Sequence, residues 1–164
     1  MANLVFQSVV LSGQDSLDFG IRDLLVVETD TGVMVLSTTA AAGGLVSYQL
    51  GNAGGATAVD TQWFSAPVAA VAGASLALIE TATGPVVTVG GGGGALAGYR
   101  IGSSGALESY VEITGLGSVS DNISVLLEQE DHLFLATGQG QLACFTSNGQ
   151  GGYGTPDLIA LTAG

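Results

Sequence analysis

Leu96-Ala97-Gly98-Tyr99-Arg100-Ile101-Gly102-Ser103-Ser104-Gly105-Ala106-Leu107 is the stretch that decides how this chain reads. A short apolar run ends on an aromatic, passes into a Gly/Ser turn and resumes on an apolar residue. That is the pattern of two antiparallel strands joined by a tight turn. Two other stretches match it. Gly44-Leu45-Val46-Ser47-Tyr48-Gln49-Leu50 runs into Gly51-Asn52-Ala53-Gly54-Gly55, and Gln141-Leu142-Ala143-Cys144-Phe145-Thr146 runs into Ser147-Asn148-Gly149. Tyr48, Tyr99 and Phe145 therefore fall at one position of a repeat.

Each copy follows a similar hairpin. Leu24–Glu28 leads to Val33–Ser37, Ser75–Glu80 leads to Val86–Val89, and Ser124–Glu128 leads to His132–Thr137. A glutamate closes each first strand: Glu28, Glu80 and Glu128. Helix signals are weak along the whole chain. A four-stranded unit of roughly 40–50 residues is the period of a β-propeller blade. Inner blade strands are expected to be apolar on both faces, packed between neighbours, while Thr57–Gln62 and Glu108–Glu112 read as more polar outer strands. The fold class is all-β, a propeller-like array of about three four-stranded antiparallel blades. Residues 1–22 read as an N-terminal strand and linker, with Leu4–Leu11 closing an outer blade edge. The blade-like repeats span 23–66, 67–116 and 117–164. Closed rings typically hold four to eight blades. Three blades thus imply a partial ring, a ring completed by other chains, or a sandwich or solenoid. An open apolar blade face is an aggregation hazard, which favours the first two.

The 96–107 string resembles the third strand, turn and fourth strand of lactonase-type bacterial β-propellers, whose repeats often read apolar-x-x-Tyr-Arg-Ile-x-x-x-Gly-x-Leu. The resemblance covers about three repeats and is close only in the second. It implies a blade. It also implies, for a complete ring, a divalent metal held in the central channel by acidic and amide side chains. No positions here match such a ligand set. Gly151-Gly152-Tyr153-Gly154-Thr155-Pro156-Asp157-Leu158 resembles the calcium-binding nonapeptide of secreted repeats-in-toxin proteins, although Pro156 stands where that pattern wants aspartate and one copy is visible.

The 164 residues carry 14 Asp+Glu against 2 Lys+Arg, a net charge of −12. Both cations are arginines, Arg22 and Arg100. Nucleic-acid binding and membrane binding through a basic face both require clustered positive charge and are excluded. Mechanisms that need a lysine are excluded with them. Hydrophobic residues make up 47%, enough for a core, and the 27 glycines without a collagen-like period read as turn chemistry. No apolar run is long enough to predict a spanning helix. Met1–Gln7 carries no positive side chain ahead of an apolar run, so no recognisable signal peptide is read.

Catalytic residue types are scarce. Gly90–Gly94 follows a strand but precedes no helix, so it reads as an inter-strand turn rather than a nucleotide loop. His132 is the one histidine, beside Glu130 and Asp131, and reads as a solvated turn residue rather than a base or ligand. Cys144 is the one cysteine and reads as a small core residue; no internal disulfide can form. The acidic clusters Asp15/Asp18/Asp23, Glu28/Asp30 and Glu128/Glu130/Asp131 read as solvated surface, with calcium the one cation they suit. Trp63-Phe64 lies between repeats and is the candidate partner-binding pair, against a plainer role in blade packing.

The expectation is a non-enzymatic structural or binding β-repeat module of an extracellular or cell-surface bacterial protein or assembly. It is homo-oligomeric or joined to further blades. It has no required cofactor, calcium excepted as a candidate, and no nucleic-acid or membrane-inserted role. The alternatives are a lactonase-like metal-dependent hydrolase and a virion or appendage subunit that completes its blades between chains.

Overall fold

The computed structural model describes residues 12–13, 15–18, 20–39, 43–52, 55–64, 75–81, 84–90, 96–110, 123–137, 140–147 and 154–160. Short β-rich runs between turns give twelve strands among these residues. The first sheet holds β1 (Ile21–Thr29), β2 (Gly32–Thr39), β3 (Gly44–Leu50) and β4 (Ala56–Trp63). The second holds β5 (Leu76–Thr81), β6 (Gly84–Gly90), β7 (Leu96–Ile101) and β8 (Leu107–Tyr110). The third holds β9 (Ile123–Gln129), β10 (His132–Thr137), β11 (Gln141–Thr146) and β12 (Asp157–Ala160). Each sheet is an antiparallel meander in which sequence neighbours are spatial neighbours. The three sheets form an open, propeller-like array that does not close into a ring.

The hairpins explain the repeating glutamate. Glu28, Glu80 and Glu128 pair with Val33, Pro85 and Leu133, the same rung in each sheet. Thr29 faces Gly32 across a two-residue turn, and Gln129 faces His132 across Glu130-Asp131. Glu130 takes the left-handed conformation there, φ 58°.

Alternation along each strand gives every sheet two faces. One, here the leading face, carries Leu24 and Val26 in the first sheet, Leu76 and Leu78 in the second, and Leu126 in the third. The other, the trailing face, carries Leu25 and Val27, then Ala77 and Ile79, then Leu127. The trailing face of the first sheet packs on the leading face of the second. Val27, Met34, Leu36 and Leu45 meet Leu76, Val87, Val89, Tyr99, Ile101 and Leu107 in one buried core. The trailing face of the second sheet packs on the leading face of the third, where Ala77 and Ile79 meet Leu126, Leu133, Leu135, Ala143 and Phe145. First strands meet first strands: β1 touches β5, and β5 touches β9. Each fully buried Leu, Ile or Val removes apolar area worth about 1.5–3 kcal/mol, so these two joints dominate the stability.

Two features depart from the sequence reading. β1 is not buried on both faces, because the first sheet has a neighbour on its trailing side only; Leu24 and Val26 are exposed. A helical turn, α1 (Asp15–Asp18), covers part of the same leading face, with Leu17 packed on Val46 and Tyr48 beside Ala56 and Ala58. The segment Leu4–Leu11 lies outside the described residues, as do 91–94 of the glycine run and 111–112 of the second outer strand.

The turn between β7 and β8 presses on the first sheet at Met34. Gly105 has φ +82°, and an added Cβ would run into the Cε and Sδ of Met34, which is wholly buried. Gly140 has nearly the same φ, +80°, but open space around it. Gly140→Ala is expected to cost about 1–2 kcal/mol from backbone strain alone. Gly105→Ala is expected to cost about 2–4 kcal/mol, because overpacking adds to the strain. Urea midpoints at constant slope measure both.

Candidate functional site

Several polar side chains of the described residues bridge neighbouring sheets. Asp23 lies near the start of β1, and its Oδ2 accepts the Leu76 amide of the second sheet at 2.8 Å and the Ser75 hydroxyl at 3.3 Å. Ser75 Oγ in turn accepts the Leu126 amide of the third sheet at 3.0 Å. One carboxylate and one hydroxyl thus link all three sheets. β5 and β9 are edge strands whose outward amides would otherwise lack partners, and these side chains satisfy two of them.

A second tie clasps the far side of the first joint. Asp60 Oδ2 on β4 accepts the Leu107 amide at 2.8 Å, and Gln62 Nε2 donates to the Leu107 carbonyl at 3.1 Å. Ser47 Oγ donates to the Gly105 carbonyl at 2.9 Å. Ser47, Asp60 and Gln62 share the trailing face because β3 and β4 pair Ser47 with Asp60 and Leu45 with Gln62.

At the hairpin end of this joint lies a cleft of about 540 Å³, lined by Glu28, Thr29, Asp30, Gly84, Pro85, Ile101, Gly102 and Ser103. The β1–β2 turn forms one wall, held by the Thr31 hydroxyl donating to the Ser103 carbonyl at 2.8 Å. The cleft presents oxygen: two exposed carboxylates and the hydroxyl-bearing residues Thr29 and Ser103. Among the described residues that line it there is no histidine, cysteine or cationic side chain. Among the described residues, no three His, Cys, Asp or Glu side chains come together as a metal ligand set.

The residues singled out in the sequence fall as follows. Trp63 and Phe64 part company. Trp63 is 51% exposed at the end of β4, whereas Phe64 is buried in the first joint with its ring 6.3 Å from that of Tyr99. His132 is half-exposed, paired with Asp131 and stacked beside Phe134. Cys144 is a half-buried thiol on the trailing face of the third sheet, opposite Phe134 and Asp157. Asp18 and Asp23 of the first acidic cluster serve separate contacts, while Glu28/Asp30 and Glu130/Asp131 each stay together at a hairpin turn. Asp18 Oδ1 accepts the Ser12 amide at 2.7 Å, Asp23 ties sheets, Glu28 and Asp30 flank the cleft, and Glu130 and Asp131 form an exposed turn. The side chains of Asp15 and Glu80 lie outside the described residues. Asp157 and Leu158 of the Gly/Pro-rich C-terminal string begin β12 and pair with Cys144 and Ala143.

The sequence reading missed Asp60, Gln62, Ser47 and Ser75 as ties. One signal was available: Asp23 and Ser75 each precede the repeating glutamate by five residues. No protein-family model matches the chain, and no curated protein matches it. The site is therefore read from its own geometry.

Two phenols report on the packing. Burial raises the Tyr48 hydroxyl above its ordinary 10.0; the nearby Asp18 charge adds to this, and hydroxyls of Ser37 and Ser12 oppose it. Burial alone raises Tyr99. The unfolded chain loses these protons first, so stability is unaffected below about pH 10 and falls as pH rises above it. Phenolate absorbance of the folded protein is expected to show a late-titrating component that Tyr48→Phe and Tyr99→Phe each diminish. Denaturant should bring it back to the ordinary range.

Proposed function

We propose that this chain is a non-catalytic structural or binding module, a propeller-like β-repeat unit of an extracellular or cell-surface bacterial protein or assembly. The observation that carries this reading is where its polar chemistry goes. Asp23, Ser75, Asp60, Gln62 and Ser47 are all engaged in joining sheets. What remains at the surface is acidic and lysine-free, suited to keeping such modules soluble through mutual repulsion. Its partners are other protein chains or further sheets of the same kind, recognised by sheet-face packing.

The lactonase-type resemblance supports a second reading, a hydrolase acting through a divalent ion as Lewis acid. The described residues do not form its ligand set, and the Glu28/Asp30 cleft supplies two carboxylates where such an ion needs more. Elemental analysis after dialysis against calcium separates the two readings, together with a lactone-hydrolysis assay. The module reading expects no stoichiometric divalent ion and no hydrolysis above buffer. A stoichiometric ion whose removal abolishes hydrolysis would overturn it.

A further inference from the structure

We propose that the partner is a second copy of this chain. The trailing face of each third sheet stacks on the leading face of the other chain's first sheet, and two chains close a ring of six sheets. This rests on the module reading above and names the occupant of its open faces.

The argument starts from the repeat. Val26 and Leu78 occupy one position of the first strand, two residues before the repeating glutamate, and Val27, Ile79 and Leu127 occupy the next. Wherever a neighbouring sheet exists, the trailing-face position is covered: Val27 and Ile79 are both buried. Where it does not, the same position is bare. Leu127 is 59% exposed on the third sheet. The leading face behaves alike. Leu76 is buried and Leu78 packs against the core of the first joint, whereas their first-sheet counterparts Leu24 and Val26 are 58% and 61% exposed. Among the described residues, each chain therefore leaves open the β1 row of one leading face and an apolar part of one trailing face. Both joints within the chain show that these two kinds of face are complementary.

Further apolar residues extend each row, beside the polar Gln129, Thr146 and Asp157 on the third sheet. Ile21 extends the exposed apolar row on β1, and Ile159 flanks Leu127 at the far side of the third sheet, with Phe134 and Leu142 between them. Contiguous exposed apolar surface of this kind marks an interaction site. α1 covers the β2, β3 and β4 part of the first leading face, where Ser37, Thr39, Val46 and Tyr48 are buried, with Leu17 on Val46, Tyr48, Ala56 and Ala58. The seat left free is the β1 side. The joint between the second and third sheets is likewise carried by first strands, with β5 and β6 against β9.

The number of copies follows from closure. A leading-to-trailing contact is heterologous and must close into a ring or continue as a filament. Propeller rings hold about four to eight sheets, and six is the one multiple of three in that range. Two chains related by a two-fold axis make two identical new joints. A net charge of −12 per chain opposes the approach, so salt that screens it promotes pairing.

The test is the native mass of the full chain by light scattering and sedimentation, across protein concentration and at low and moderate salt. The expected result is a dimer, twice the 16.2 kDa chain, favoured by added salt. Val26→Asp and Leu127→Asp change side chains that are exposed in a single chain. Each should give monomers with unchanged circular dichroism. Cys144 lies on the covered face, so its thiol should react slowly with a disulfide reagent in the wild type and rapidly in Leu127→Asp. A monomer at all concentrations, a dimer that survives both substitutions, or an assembly larger than two chains would each overturn the proposal. A monomer without bound metal leaves the module reading standing; a metal-dependent hydrolase that dimerises does the reverse.

Discussion

A four-stranded sheet with leucine, valine and isoleucine on both faces has no stable existence alone in water. Its two apolar sides must each find cover, and a meander offers none from within itself. Here the solution is serial: the trailing face of one sheet becomes the floor on which the leading face of the next is laid. Val27, Met34 and Leu36 against Val87, Val89 and Tyr99 make the first such contact, and Ile79 against Leu133, Leu135 and Phe145 makes the second. The remaining architecture follows from keeping these contacts in register. Gly105 brings the β7–β8 turn onto Met34.

Stacked sheets also expose edges. The outward amides of Leu76, Leu107 and Leu126 point away from their own ladders. Water cannot reach them fully once the sheets pack, and an orphaned buried amide costs about 1–3 kcal/mol. Asp23, Asp60 and Ser75 meet these three donors from the preceding sheet. The same bonds that cap an edge therefore also set the distance and tilt between neighbours. This dual use explains why an acidic protein places two of its carboxylates inside joints.

Much of the architecture was legible because the repeat is carried by residue types with strong local preferences. Tyr48, Tyr99 and Phe145 align in sequence and all occupy leading faces, while Ser47, Gly98 and Cys144 beside them all occupy trailing faces. Period-two alternation makes that correspondence physical rather than coincidental. The site was less legible. Trp63 and Phe64 are adjacent, so a reading by composition treats them as a pair, yet one is in solvent and the other lies in the first joint against Tyr99. Asp60 sits in a polar outer strand that reads as solvated, and its role depends on a turn 47 residues away in sequence. The helical turn at Asp15–Asp18 is too short to leave a periodic signal; it is held by tertiary contact through Leu17.

Native-state hydrogen exchange at the amides of Leu76, Leu107 and Leu126 tests the stacking most directly, because each amide is protected by the neighbouring sheet and not by its own. If the three sheets form one cooperative stack, these amides exchange only through global unfolding, at the same free energy as Val87 and Leu135 within central strands. Exchange at the rate of a solvent-exposed edge, with Val87 and Leu135 still protected, would mean that the sheets are independent and the stack is not the basis of the fold.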